Sequence, residues 1–210
     1  MYPYVSGDFK PVERHSNVGS LSEMTAKADV LKQEWDRKVF ITFYKFSVTE
    51  IKLSKTLVAY FSATGRTRKI ANLIAEITGA DIYEIKPAVP YSVEDLNWED
   101  SNSRSTFEAK EDLHPSLADR NANISNYSVI YLGFPIWWYK APRLINTFLE
   151  SYDFSGKKVV TFSTSGGSGY GETSKDLKYS NPDAEIIEGK VFRGRPDKET
   201  IFNWLQSLNI

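Results

Sequence analysis

From residue 55 onward, short apolar runs alternate with amphipathic segments. Runs rich in β-branched and aromatic residues predict five strands, at 56–61, 81–85, 128–133, 158–162 and 184–191. The first run is almost wholly apolar, as expected of a strand buried on both faces of a parallel sheet. Because helical patterns lie between the runs, we expect an α/β fold, a doubly wound parallel sheet flanked by helices.

The helical segments carry apolar residues three or four positions apart. Gly79 ends the first of them, and Pro142 suits the first turn of a later one. A short helix is predicted at 173–178 and a last one around 201–208. Residues 87–126 are polar and predict a long, loop-rich crossover between the second and third strands.

Residues 1–54 are patterned differently and form an N-terminal extension to a domain at 55–210. Prolines and glycines punctuate a polar opening, which predicts partial disorder. An apolar stripe predicts a helix over 21–36, and a β-branched and aromatic run predicts a strand at 39–46. Two roles stay open: an accessory element that packs on the domain, or an arm for dimerisation or partner binding.

The amino-acid composition excludes several classes of partner, metal site and catalytic group. The chain has 26 basic and 27 acidic residues, a balance that argues against a nucleic-acid-coating protein. It has no cysteine, which excludes disulfides, zinc-thiolate sites and thiol nucleophiles, so redox chemistry would need a bound cofactor. Two histidines cannot build a histidine-rich metal site. No apolar run is long enough to span a membrane and no secretory signal is recognisable, so we expect a cytoplasmic protein.

The loop after the first strand, Ser62-Ala-Thr-Gly-Arg-Thr67, is rich in hydroxyls. The hydroxyls and main-chain amides can converge on one anion at the start of the following helix, and Gly65 permits close approach. The loop lacks the lysine of a Walker motif and the glycine spacing of a dinucleotide fingerprint. It suits a single phosphate monoester, although a simple helix cap would use the same residue types.

Three segments carry a resemblance to a known family. Residues 56–67 resemble the first strand and phosphate loop of flavodoxins. Residues 134–142, Phe-Pro-Ile-Trp-Trp-Tyr-Lys-Ala-Pro, are similar to the third-strand loop of a flavodoxin-like subfamily with a Pro-Ile-Trp-Trp signature. Further similarities to that subfamily lie in the crossover, at Asn97-Trp98, Ser103-Arg104 and Glu108.

The resemblance covers about residues 55–210. It implies a flavodoxin-like fold with strand order 2-1-3-4-5 and one noncovalently bound FMN. The residues that it assigns to the FMN phosphate are Ser62, Thr64, Gly65, Arg66 and Thr67. Arg66 departs from the usual pattern, and we expect its side chain to point into solvent.

The second loop, beginning Pro135-Ile136-Trp137-Trp138, suits a flat heteroaromatic ring. Tryptophan offers stacking faces, and the proline and isoleucine offer apolar edges that exclude water. Because adjacent side chains point in different directions, we expect one tryptophan in the core and the other near the flavin. The sequence does not decide which one takes which place.

The third loop spans residues 163–171 and is rich in glycine. Its free amides suit the pyrimidine carbonyls of a flavin, and Tyr170 could stack on the ring or flank it. The alternative is a flexible surface loop. The candidate cofactor residues here are Ser165, Gly166, Gly167, Ser168 and Gly169.

Two functions compete at this stage. One is a flavodoxin-like electron carrier that serves a redox partner protein. The other is an FMN-dependent NAD(P)H:quinone-type oxidoreductase with a small acceptor and a homodimeric assembly. No catalytic residue is assigned; His114 is expected on the surface, with proton donation to the flavin as the alternative. The acidic crossover is expected to be a solvated face, with docking of a basic partner as the alternative.

Overall fold

The computed structural model describes residues 29–35, 55–208 and 210. The chain divides into two compact units, Met1–Lys52 and Leu53–Ile210. The second unit contains all the strands that the structure describes. None of the described helices is both long and apolar enough to cross a bilayer.

The first unit is described only in part. Residues 29–35 form a helix, α1, which falls within the helix predicted for 21–36. The remainder of that predicted helix, the polar opening and the predicted strand at 39–46 lie outside the described residues.

The second unit contains a sheet whose five strands are all parallel, in the order β2-β1-β3-β4-β5. This arrangement confirms the predicted fold class and strand order. Along the chain the elements are β1 Lys55–Tyr60, α2 Arg66–Thr78, β2 Asp81–Glu84, α3 Arg104–Lys110, β3 Tyr127–Pro135, α4 Arg143–Glu150, β4 Lys158–Ser165, α5 Thr173–Ser180, β5 Glu185–Arg193 and α6 Lys198–Ser207.

The sheet is covered on both faces because its central strands are apolar on both sides. In β1, Leu57 joins one core cluster, which includes Phe148 of α4. The next residue, Val58, joins the other cluster, with Ile74 of α2 and Trp204 of α6. Alternate residues of a strand point to opposite faces, so a continuous apolar run is what a doubly covered sheet requires.

Two strands run further than predicted, and their ends bear on the site. β3 continues to Pro135 and β4 to Ser165. The parallel ladder extends with them: Pro135 lies opposite Thr164, and the Ile136 amide donates to the Thr164 carbonyl at 2.8 Å. Pro135 and Ser165 are therefore the last residues of strands, not members of loops as the sequence pattern indicated.

The crossover between β2 and β3 contains α3, a helix that the sequence pattern does not predict. Seven residues are too few to show a helical period clearly. Its start is marked by Ser103, whose side chain accepts from the Thr106 amide at 3.4 Å and donates to the Thr106 hydroxyl at 2.8 Å. The rest of the crossover is loop and short turns, as expected.

Candidate functional site

A cleft of about 720 Å³ lies where β1, β3 and β4 end. These strands are neighbours at the centre of the sheet, so the segments that follow them are brought together at its carboxyl edge. The volume is typical of small-molecule sites. The lining residues are Ala63, Thr64, Thr67, Leu96, Trp98, Ser105, Pro135, Ile136, Trp137, Trp138, Tyr139, Thr164, Ser165, Gly166, Gly167 and Ser168.

Ten of the fourteen cofactor residues expected from sequence line this cleft. The other four are Ser62, Gly65, Arg66 and Gly169. Gly65 and Arg66 line a second cavity instead, and Arg66 is exposed. Thr64 lines both cavities, so they adjoin at the first loop.

The first loop turns into α2 at Gly65, which adopts a left-handed conformation with φ 81°. A side chain there would meet no other atom, so the backbone angle is what favours glycine. The hydroxyl of Ser62 is buried and has no hydrogen-bond partner among the described residues. A buried hydroxyl without a partner is unfavourable, which makes this atom a candidate ligand contact.

A buried hydrogen bond joins the first loop to the end of β4. The hydroxyls of Thr67 and Thr164 lie 2.9 Å apart although the residues are 97 positions apart in sequence. Thr67 is 1% exposed, so this bond is protected from water. It holds the first turn of α2 against the end of β4.

The second loop is a tight hairpin. Trp137 and Lys140 exchange two main-chain hydrogen bonds, each 2.9 Å long. The residues between them, Trp138 and Tyr139, have φ values of 46° and 61°. Two successive left-handed residues are typical of a type I′ turn, which normally uses asparagine or glycine. Large aromatic residues here store local strain, a feature that clusters at functional sites.

The two tryptophans differ in burial, and both line the cleft. Trp137 is half-buried, and its ring meets those of Phe61 and Tyr91 edge-on, with centroids 5.8 Å and 5.4 Å apart. Trp138 is 39% exposed. Trp137 is thus packed against the core, whereas Trp138 is more exposed to solvent.

The third segment, residues 165–171, is here called the glycine loop. The Ser165 hydroxyl accepts from the Gly167 amide at 3.1 Å, and Arg193 donates to the Gly167 carbonyl at 3.3 Å. At the end of the loop, Gly171 has φ 59°, and a Cβ there would lie 2.4 Å from the Tyr139 carbonyl oxygen. The glycine loop and the hairpin are therefore packed main chain against main chain.

Tyr170 does not line the cleft, contrary to one option left open by the sequence. It is 7% exposed and belongs to a core cluster. Its hydroxyl lies 2.8 Å from that of Thr161, and burial raises the pKa of Tyr170. The ring lies in the protein core because it packs there with other buried apolar side chains.

The crossover supplies another wall of the cleft, through Leu96, Trp98 and Ser105, which the list of cofactor residues from sequence did not contain. We call residues 91–108 the crossover wall. Trp98, which lines the cleft, is also one of the crossover residues that resemble the flavodoxin-like subfamily. Trp98 is 71% exposed, so its indole face is available.

A partly buried network centred on Glu108 holds the crossover wall. Glu108 is 7% exposed and accepts from the Tyr91 hydroxyl and, at 2.6 Å, from Arg104 Nε. The Arg104 guanidinium lies 4.2 Å from the centre of the Tyr91 ring and donates to the Val89 carbonyl at 2.8 Å. Burial and the bond to Glu108 raise the pKa of Tyr91. Tyr91 in turn packs on Trp137, so the network reaches the cleft.

His114 lies away from the cleft, on the exposed side of the crossover. Its Nδ1 is 2.9 Å from Glu150 at the end of α4, and its Nε2 is 3.6 Å from Asp112. This placement agrees with a surface histidine, and His114 is not among the residues that line the cleft.

The sequence profile of the flavodoxin family matches residues 55–208. This chain belongs to the flavodoxin family. The match spans every strand and helix of the second unit. Comparison with curated proteins gives no match.

Solved structures similar to this flavodoxin-family chain include two from Bacteroides. A candidate flavoprotein of Bacteroides eggerthii DSM 20697 is 43% identical, with a TM-score of 0.70, and the alignment covers 75% of this chain and 99% of that one. The corresponding protein of Bacteroides uniformis ATCC 8492 is 44% identical, with a TM-score of 0.69 and coverage of 73% and 98%.

A third solved structure shares the flavodoxin fold at lower similarity. It is a flavoprotein of Lactobacillus acidophilus NCFM in complex with FMN, 23% identical, with a TM-score of 0.50. The alignment covers 72% of this chain and 99% of that one.

Proposed function

We propose that this chain binds one FMN in the cleft and acts as an electron carrier. The observation that supports this most directly is the chemical order of the lining. Hydroxyls lie at the start of α2, aromatic rings follow β3, and open glycine backbone follows β4. A phosphate, a flat ring and polar ring carbonyls would meet suitable partners in that order. Family membership and the FMN complex of the Lactobacillus protein support the same cofactor.

For the phosphate, we assign Ser62, Thr64, Gly65, Arg66 and Thr67. The unpartnered buried hydroxyl of Ser62 is the strongest sign that the loop fits an anion. The N-terminus of α2 adds positive potential and free main-chain amides. The Thr67 hydroxyl can take part while keeping its bond to Thr164, because a hydroxyl both donates and accepts.

For the ring, we assign the aromatic part of the cleft. Pro135, Ile136, Trp137 and Trp138 form one side, and Trp98 of the crossover wall adds another indole face. Aromatic faces stack on flat heteroaromatic rings and keep water away from them.

For the polar edge of the ring, we assign Ser165, Gly166, Gly167, Ser168 and Gly169. A Cβ added at Gly166, Gly167 or Gly169 would meet no atom, so the backbone there is open to a ligand. Open main-chain amides can donate to carbonyl oxygens.

FMN, when bound, supplies one- or two-electron redox chemistry. The protein's part is to orient the ring and set its electrostatics. The cleft is lined by uncharged side chains, with Tyr139 as the titratable one. Such a lining disfavours accumulation of negative charge on the ring. It therefore supports one-electron transfer at low potential, the chemistry of a carrier.

The alternative function is an FMN-dependent NAD(P)H:quinone-type oxidoreductase, which would act as a homodimer. The observation that favours it is the exposure of Trp98 and Tyr139, at 71% and 61%. Both residues line the cleft, so their faces could receive a second flat molecule beside the flavin.

The test begins with FMN reconstitution and a visible spectrum, followed by anaerobic titration with dithionite and NADPH. A carrier should show two separate one-electron midpoint potentials and no response to NADPH. Rapid two-electron bleaching by NADPH would favour the oxidoreductase. Failure to bind FMN would overturn both functions.

The Ser62 assignment has a matched control. Ser128 also has a buried hydroxyl without a described partner, but it lies near the start of β3, at the opposite edge of the sheet. Ser62→Ala should weaken FMN binding about tenfold, because it removes a hydrogen bond to a charged group. Ser128→Ala should leave the affinity unchanged. Equal affinities of the two variants would contradict the assignment.

A further inference from the structure

The second cavity, which Arg66 and Gly65 help to line, has a volume of about 440 Å³. It lies between the first turns of α2 and the segment 194–196 that joins β5 to α6. A single phosphate would leave most of this volume unfilled, whereas small organic ligands bind in cavities of this size.

The polar part of the second cavity is cationic. Arg66, Lys69 and Arg195 line it, and none of them forms an ion pair with a residue that the structure describes. Glu84 at the end of β2 pairs with Arg68, and Glu76 of α2 pairs with Lys198. Three uncompensated positive charges around one cavity attract an anion of more than one charge.

The remaining lining is apolar. Ile70 is 3% exposed, Leu73 is half-buried, and Pro196 adds a further apolar surface. A ligand that satisfies the whole cavity therefore combines a phosphate with a flat ring whose face can pack on apolar side chains, as the base of a nucleoside monophosphate can.

We propose that the second cavity binds the adenylate group of a dinucleotide. The phosphate contacts Lys69 and Arg195, since Arg66 is already assigned to the FMN phosphate, and the adenosine packs on Leu73 and Pro196. Because Thr64 lines both cavities, this ligand lies next to the proposed FMN phosphate. The adenylate has two sources: FAD bound in place of FMN, or a pyridine dinucleotide bound beside FMN.

The first experiment titrates AMP into the FMN-loaded full chain by calorimetry. We expect one AMP per chain with submillimolar affinity. Lys69→Ala and Arg195→Ala should each weaken AMP binding about fivefold, as loss of one exposed charge contact does, and should leave FMN affinity unchanged. Lys198→Gln removes a nearby charge that does not line the cavity and should change neither affinity.

Three results would overturn the proposal: no AMP binding, inorganic phosphate binding as tightly as AMP, or an equal loss in Lys198→Gln. FMN affinity, measured on the same samples, separates a failure of this site from a failure of the FMN site.

A second experiment distinguishes the sources. FAD that displaces both FMN and AMP, and loses affinity in Lys69→Ala, identifies the flavin dinucleotide. NADPH that displaces AMP but not FMN identifies the pyridine dinucleotide. If neither dinucleotide competes with AMP, the proposal is wrong.

Discussion

The crossover wall and the glycine loop flank the same cleft but are held in different ways. In the crossover wall, the side chain of Glu108 joins Tyr91 to Arg104, and the ring of Tyr91 supports Trp137. In the glycine loop, each contact involves main-chain atoms: the Gly167 amide and carbonyl bond to the Ser165 and Arg193 side chains, and Gly171 lies directly against the Tyr139 carbonyl.

The two walls should differ in which amino-acid substitutions they tolerate without loss of stability. A buried network of charged and polar groups destabilises the protein when one partner is lost, because the others stay buried without compensation. A main-chain contact depends instead on the absence of a Cβ at one position. The crossover wall should therefore be destabilised most by loss of a charged or polar side chain, and the glycine loop by addition of a Cβ at a glycine. The following variants test this.

The largest effect is expected at Gly171. Gly171→Ala places a Cβ 2.4 Å from a carbonyl oxygen at a left-handed backbone angle, and should lower the free energy of unfolding by about 3 kcal/mol. Gly167→Ala is the matched control, since its Cβ meets open space, and should stay within about 0.5 kcal/mol. Urea denaturation measures both. Similar values for the two would show that the loop is not held at Gly171.

The next effect is expected in the crossover wall. Glu108→Gln keeps the side-chain size but removes the charge that pairs with Arg104 and replaces one of the two acceptor oxygens by a donor, and should cost about 2 kcal/mol of stability. Glu111→Gln, at an exposed site nearby, should change stability by less than about 0.5 kcal/mol. Denaturant midpoints compare the pair, and equal midpoints would contradict a side-chain-held wall.

A smaller effect of opposite sign is expected in the hairpin that contacts the glycine loop. Tyr139→Gly relieves a left-handed angle of 61° and should stabilise the protein by about 0.5 kcal/mol, after the extra flexibility of the unfolded chain is subtracted. Tyr139→Ala retains the backbone strain and should give no gain. Thermal unfolding distinguishes them; a gain in both variants would assign the effect to the lost ring.

The smallest effect is a pH dependence of the crossover wall. Burial and Glu108 raise the pKa of Tyr91, so the folded state holds its phenolic proton more tightly than the unfolded chain does. The resulting stability is complete below about pH 10 and is lost as the pH rises above it. Tyr91→Phe should therefore be less stable than wild type near neutrality, with the gap narrowing above pH 10.

Tyr131 distinguishes the effect of burial on the pH dependence of stability from the effect of a hydrogen bond. Burial alone raises the pKa of Tyr131. Tyr131→Phe should match wild type at neutral pH and exceed its stability above pH 10. Urea denaturation from pH 7 to 11 follows both variants, and a constant difference between Tyr91→Phe and wild type would exclude the proposed linkage.

Much of the fold could be predicted because its signals are local. The apolar run at β1 and the stripes of α2 and α4 depend on residues a few positions apart. The resemblance to flavodoxins then implied the strand order. Strand ends were less predictable: Pro135 and Ser165 belong to β3 and β4 because neighbouring strands extend the ladder, a fact absent from either local pattern.

The sequence predicted the outline of the candidate site and left several of its details open. Hydroxyls, tryptophans and glycines after three strands located the cleft, since parallel strands place their carboxyl ends together. The positions of Trp137, Trp138 and Tyr170 were decided by packing. Leu96 joined the cleft from the crossover, where the sequence offered no periodic signal.

The sequence by itself determined the α/β class, the edge of the sheet that carries the site and the residue types gathered there. Only the tertiary structure decided which side chains enter the cleft and which support it. The physical reason is the separation along the chain over which each kind of interaction acts. Backbone periods and turn preferences act over a few residues, whereas the bond between Thr67 and Thr164 joins positions 97 residues apart and exists only once the sheet has brought them together.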